Sequence, residues 1–118
     1  MIIGIGIDIT ELSRIQKMAA YKEKFAARIL TDKEQEIYQS LSERRRVEYL
    51  AGRFAAKEAF SKAYGTGISK DLSFHDIEIT SDHKGKPFII KPFKEGVHLS
   101  ISHSREYAAA QVVIEKID

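Results

Sequence analysis

The densest chemistry in the chain lies within nine residues, Phe54-Ala55-Ala56-Lys57-Glu58-Ala59-Phe60-Ser61-Lys62. Glu58 and Lys62 stand four apart, which on a helix places them on one face, with Phe54 one turn earlier. Such a pair is either an exposed helical ion pair, worth roughly 0.2–0.5 kcal/mol, or part of a site. Asp8 is the second unusual group. It follows an apolar run, where a lone carboxylate is costly unless it is paired or bound to a metal; capping a helix that begins near Thr10 would account for it equally well. If Asp8 and Glu58 converge, two hard oxygen ligands with no neighbouring His or Cys favour Mg²⁺ over zinc. Magnesium held by few carboxylates completes its shell with water and substrate phosphates. Lys62, Lys57 and Arg53 would then supply positive charge for those phosphates.

These groups need a strand to present Asp8 and a long helix to present Glu58 and Lys62. Residues 2–9 are apolar and β-branched, broken by Gly4 and Gly6, and predict a buried strand ending at Asp8. Thr10 is placed to cap a helix over about 11–20, with Leu12, Ile15 and Ala19 as its core stripe. A short helix follows over about 22–29, and the capping box Thr31-Asp32-Lys33-Glu34 starts another over about 32–41. Ser42 caps the longest helix, about 43–64, which Gly65 ends. Within it Ala51, Ala55, Ala59 and Ala63 form a stripe of small residues that lets another element approach closely. After the loop opened by Gly65-Thr66-Gly67, residues 74–80 alternate as a strand, 82–86 turn, and 87–91 return as a second strand. Residues 97–102 alternate again, with Val97, Leu99 and Ile101 on one face and His98, Ser100 and Ser102 on the other; a last strand covers 107–116. One strand, a run of helices, then four strands predict an α+β domain with a largely antiparallel sheet packed against the long helix.

A length of 118 residues predicts a single domain over 1–118, able to bury roughly two thirds of its unfolded surface. With no cysteine, disulfides, thiolate zinc sites and a cysteine nucleophile are excluded. The start MIIGIGIDIT reads as a strand and not as a signal peptide, and no apolar run approaches the ~20 residues of a membrane span, which suits the cytoplasm. The net charge of +2 is modest, but its distribution is not. Arg14, Lys17, Lys22, Lys24 and Arg28 are opposed by Glu23 alone within residues 13–28, and residues 43–62 are also basic.

Taken together, three blocks resemble one family: Gly4-Ile5-Gly6-Ile7-Asp8, the segment Phe54 to Lys62 (FAAKEAFSK), and Leu99 to Ser104 (LSISHS). Ala51-Gly52-Arg53, Gly65-Thr66-Gly67 and Gly85-Lys86-Pro87 also fit. In this order and at this length, the chain resembles the holo-acyl-carrier-protein synthases, the small class of 4′-phosphopantetheinyl transferases. The resemblance implies transfer of the phosphopantetheine arm of coenzyme A to a serine hydroxyl of an apo-acyl carrier protein, with release of adenosine 3′,5′-bisphosphate, in support of fatty acid biosynthesis. It implies Mg²⁺ on Asp8 and Glu58, with Lys62 neutralising the pyrophosphate and leaving group, and with Glu58, directly or through a metal-bound water, taking the serine proton. A lone His103 would be a structural hydrogen bonder; the resemblance makes it a coenzyme A contact instead. It also implies coenzyme A contacts from Arg53, Lys57 and Lys62, from Gly65, Thr66 and Gly67, and from Gly85, Lys86 and Pro87. Larger, two-lobed transferases carry an Asp-x-Glu pair where this chain has Asp8-Ile9-Thr10, so fewer protein ligands and more water are implied on the metal. A single lobe further implies a homotrimer with sites between neighbouring subunits.

Arg14, Met18, Lys22, Lys24, Phe25 and Arg28 recur at nearly helical spacing, with Phe54 on the long helix. They form either a solvated face with Met18 and Phe25 tucked into the core, or a dock for an acidic helix. The resemblance favours the dock, since acyl carrier proteins are acidic and helical. Arg44-Arg45-Arg46 invites a rival reading as a nucleic-acid module. Against it stand the modest charge, 9% aromatic content and the lack of an RRM, KH or zinc motif. No GxxxxGK[ST] loop is present, which removes P-loop chemistry as a motif reading. No nucleic acid or membrane partner is expected.

Overall fold

A 22-residue helix organises the molecule. In a computed structural model, which describes residues 1–117, the chain runs β1 (Ile2–Glu11), α1 (Leu12–Tyr21), α2 (Phe25–Ile29), α3 (Asp32–Ser40) and α4 (Glu43–Tyr64). Strands β2 (Glu78–Ser81), β3 (Pro87–Lys91), β4 (Val97–His103) and β5 (Tyr107–Glu115) follow. The alanine stripe of α4 is buried and faces β1 and β5. Gly4 and Gly6 sit directly over it: a methyl group at Gly4 would collide with the carbonyl of Ala63, and one at Gly6 with the carbonyl of Ala59. Small residues on both sides therefore let the strand lie almost on the helix backbone.

The main sheet has the order β1-β5-β4, and β2 and β3 form a separate hairpin; every strand pair is antiparallel. Ala108, Ala110, Val112 and Ile114 of β5 turn inward onto α4, and Val97, Leu99 and Ile101 of β4 pack beside them as expected. A second apolar cluster under α1–α3 is built from Ile15, Phe25, Ile29, Leu30 and Leu50. The Thr31–Glu34 capping box forms, and Gly65 ends α4 in a left-handed conformation.

Four expectations are corrected. Strand β1 is not buried on both faces. Its inward positions are Gly4, Gly6, Asp8 and Thr10, while Ile3, Ile5, Ile7 and Ile9 are each about 60% exposed on the outer face. The outer rows run Ile9–Ala109–Ser102, Ile7–Gln111–Ser100 and Ile5–Val113–His98. Residues 74–76 are not strand but a 3₁₀ turn, because the Asp76 carboxylate accepts from the Ser73 backbone N–H at 2.8 Å; this local bond outcompetes extension. Thr10 does not cap α1; Glu11 takes that position without a side-chain bond, and the Thr10 hydroxyl donates to Asp8 Oδ2 at 3.0 Å. Helix α2 begins at Phe25, three residues later than the periodicity suggests.

Candidate active site

The close packing of β1 on α4 fixes where Asp8 stands. Asp8 lies one pleat beyond Gly6 on the inward face, and since the strand passes Ala63 at Gly4 and Ala59 at Gly6, it heads for the α4 turn that precedes Ala59 and carries Glu58. Lys62 Nζ donates to the Ile7 carbonyl at 3.0 Å and to Asp8 Oδ1 at 3.3 Å. The four-residue spacing of Glu58 and Lys62 thus marks a shared face, but Lys62 is ion-paired with Asp8, 54 residues away in sequence. Glu58 is close enough to feel all its charged neighbours. Burial raises its carboxyl pKa above the usual 4.5, the Asp8 charge raises it further, and Lys62 and Arg14 pull it partly back. Two carboxylates whose charges oppose each other, beside one half-exposed ammonium, form an oxygen-donor set that suits a small hard cation with few protein ligands. Among the described residues no cluster of three or more His, Asp or Glu gathers as a self-sufficient metal cage. Asp8 and Glu58 would therefore leave most of a Mg²⁺ shell to water and substrate oxygen.

Glu58 also borders a cavity of about 280 Å³ whose lining includes Met18, Lys22, Lys24, Phe25, Arg28 and Phe54. Six of the seven expected dock residues thus share one concavity with the carboxylate, and Arg14 is near enough to act on Glu58 electrostatically. The apolar members differ in burial. Phe25 is 6% exposed and belongs to the core, whereas Met18 is only half-buried. Phe54 stacks on Phe74 at 5.6 Å between ring centroids, and Phe74 joins the lining.

A second cavity, of about 540 Å³, lies on the other side of α4 and brings together Arg53, Gly85, Pro87 and His103. His103 Nε2 hydrogen-bonds the Glu48 carbonyl at 2.9 Å, so the structural role is real while the ring still lines the cavity. Tyr49 and Arg45 line it as well; sequence reasoning misses Tyr49 and places Arg45 only in the arginine triplet. Tyr49 precedes Arg53 by four residues, and its ring lies 4.3 Å below the guanidinium, so helical spacing carried the signal. Burial pushes the Tyr49 hydroxyl pKa up, with Arg53 opposing. Tyr49 Oη and Arg53 Nε are buried without hydrogen-bond partners. Orphaned polar atoms at a cavity are what a polar ligand would satisfy. Gly65, Thr66 and Gly67 follow Lys62 at the opposite end of the helix, and Lys86 sits on the 82–86 turn, whose Lys84 and Lys86 N–H groups both bond Asp82.

Lys57 is a correction. It was expected among the phosphate-binding cations, yet its side chain is wholly buried and its ammonium contacts Glu34 at 2.6 Å. Burial pulls its pKa below the usual lysine range, and Glu34 offsets part of that. The residue faces the interior because it is one position, and so about 100° of helical rotation, from Glu58. The arginine triplet also disperses. Arg45 lines the larger cavity, while Arg46 donates to the Tyr38 and Gln39 carbonyls at 3.0 and 2.7 Å and ties down the end of α3.

With this geometry in place, the chain can be compared with known proteins. Residues 4–112 match the family model of the 4′-phosphopantetheinyl transferase superfamily. A holo-[acyl-carrier-protein] synthase of Bacillus subtilis (strain 168) is 62% identical over 99% of this chain and 98% of its own length. The chain belongs to this family of phosphopantetheinyl transferases. The solved holo-(acyl-carrier-protein) synthase of Bacillus anthracis in complex with CoA (3′,5′-ADP) is 56% identical to the transferase, covers 99% of both chains and superposes with a TM-score of 0.93. The Helicobacter pylori enzyme in complex with coenzyme A is 36% identical over 94% of this transferase and 99% of its own chain, with a TM-score of 0.81. No helix of the described residues is long and apolar enough to cross a membrane.

Proposed function

We propose that this transferase moves the 4′-phosphopantetheine arm of coenzyme A to a serine hydroxyl of an apo-acyl carrier protein and releases adenosine 3′,5′-bisphosphate. The observation that carries the reading is the meeting of Asp8, Glu58 and Lys62 at the rim of a cavity walled by bases and apolar groups. The serine oxygen forms a bond to the phosphorus that carries pantetheine, and that phosphorus loses its bond to the adenosine bisphosphate oxygen. Glu58 takes the hydroxyl proton. Lys62 neutralises the charge that gathers on the departing phosphate oxygen. Asp8 holds the Lys62 ammonium in place until substrate phosphate competes for it. Mg²⁺ on Asp8 and Glu58 would supply charge neutralisation of the pyrophosphate. The basic cavity receives the acidic carrier helix through Lys22, Lys24 and Arg28, with Met18 and Phe54 as apolar anchors and Arg14 beside Glu58 outside the lining.

Residues 1–118 form a single domain that acts as a homotrimer with sites between neighbouring subunits, in the cytoplasm and in support of fatty acid biosynthesis. Two observations support the trimer. The isoleucine face of β1 is the kind of apolar patch that another copy covers. The expected coenzyme contacts also divide into an Arg53–His103 cavity and a Lys62–Gly67 edge, about 13 Å apart along α4 by helical rise. A neighbouring copy would close one against the other.

Intact mass spectrometry of apo-acyl carrier protein incubated with the enzyme, coenzyme A and Mg²⁺, with an EDTA control, tests the reaction. One added phosphopantetheine mass that EDTA prevents is the expected result. No mass gain with several apo carriers and a folded enzyme would sink it.

A further inference from the structure

We propose that Lys57 and Glu34 form a positioning unit that clamps the wall of the carrier cavity to the α4 turn bearing Glu58, and so sets affinity for the carrier protein. The inference rests on assigning that cavity to the carrier. An ammonium has three donors and no acceptor. All three are used here: Lys57 Nζ donates to the Ile29 carbonyl at 2.7 Å, to Glu34 Oε1 at 2.6 Å and to the Phe74 carbonyl at 3.1 Å. Glu34 is equally committed, its Oε1 accepting from the Thr31 N–H and its Oε2 from the Ile79 N–H, each at 2.8 Å. One ion pair thus fastens the end of α2, the start of α3, the middle of α4, the 3₁₀ turn and β2.

Two of the fastened residues, Ile29 and Phe74, line the cavity itself. Ile29 ends α2, so its carbonyl is one of those a helix leaves unpaired, and Lys57 supplies the missing donor. Phe74 carries the ring on which Phe54 stacks. Lys57 points inward and Glu58 outward from consecutive positions, so the clamp holds the cavity wall against α4 while the glycine–alanine seam, which it does not touch, keeps the orientation of Glu58. An apolar pair of similar volume would often hold a fold as well as a buried ion pair does. It could not gather two carbonyls and two N–H groups at one point.

The test is steady-state kinetics of Lys57→Met/Glu34→Gln, which removes both charges and keeps the volume. The expected result is a folded enzyme whose KM for apo-carrier rises about tenfold, while kcat and the KM for coenzyme A stay within about twofold, the pattern of lost uniform binding. An unchanged carrier KM overturns the proposal. So does a rise in the coenzyme A KM, alone or in parallel, which would place the pair's influence elsewhere. If that double variant does not fold, Lys57→Gln/Glu34→Gln, which likewise leaves no unpaired buried charge, carries the test, with an expected rise of about threefold in carrier KM; no rise overturns the proposal. Met18→Ala and Arg28→Ala separate the two readings. If neither raises the carrier KM, the cavity assignment fails and this proposal with it. If they do and the Lys57 variants do not, the positioning role alone fails.

Discussion

Lys57 and Lys62 lie five residues apart on one helix, and each pairs with a carboxylate and with backbone carbonyl oxygen. They could hardly be used more differently. The Lys57–Glu34 pair is 0% and 1% exposed and holds at 2.6 Å. The Lys62–Asp8 pair is 51% and 16% exposed and stands at 3.3 Å. The buried ammonium has all three donors spent on protein oxygens, so its charge organises its surroundings. A charge half in water is worth little to the fold, and for that reason can be surrendered to a phosphate. Under the proposed function, the same residue type on the same helix would divide into architecture and chemistry by burial.

The largest effect that would sharpen this contrast is at the exposed site. Glu58→Ala is expected to cut Mg²⁺-dependent turnover by about 1,000-fold or more while the circular dichroism spectrum stays native; full activity would remove Glu58 from the site. Lys57→Met should act in the opposite sense. Leaving Glu34 charged and unpaired is expected to cost about 3–5 kcal/mol in urea unfolding, and a loss below about 1 kcal/mol would erase the distinction between the two pairs. Lys62→Ala should lower kcat by about 10–100-fold, yet shift unfolding by less than about 1 kcal/mol. A pure KM effect would make Lys62 a uniform binder instead. Arg14→Ala is expected to raise the carrier KM about fivefold with little change in kcat.

The smallest effect concerns pH. Glu58 has a folded-state pKa raised above its ordinary 4.5, so between those two values the native protein binds more protons than the unfolded chain. Stability must then fall as pH rises through that window. In EDTA, Glu58→Gln should match the wild type in Tm at pH 4 and exceed it at pH 7. A lower Tm at pH 7 would mean that the ionised carboxylate is stabilised in the fold.

Local pattern made part of this legible. The capping box, the limits of α4, the alanine stripe and the inward face of β4 all follow from spacing, because each is decided within one or two turns or pleats. The shared face of Glu58 and Lys62 was readable for the same reason. What spacing could not say is that Lys62 reaches Asp8, or that Glu34, already accounted for as a capping residue, also neutralises a lysine 23 positions later. Lys57 was misplaced because charge type suggests a surface, and only tertiary packing reveals burial. Strand β1 misled differently: its isoleucines do alternate, but the face turned to the helix belongs to the glycines. Residues 74–76 alternate convincingly, and a side-chain bond to backbone overruled the pattern.

The contact of Gly4 and Gly6 with the carbonyls of Ala63 and Ala59 works as a ruler for the site. Asp8 continues the same strand face and Glu58 adjoins Ala59, so the gap between the two carboxylates is inherited from the thickness of that glycine–alanine seam. A single methyl at Gly6 would lift the strand and widen the gap, without touching any charged group. Larger cations tolerate longer oxygen distances than Mg²⁺ does. If Mg²⁺ binds there as proposed, the choice of ion would in this sense be written into side chains that are not there.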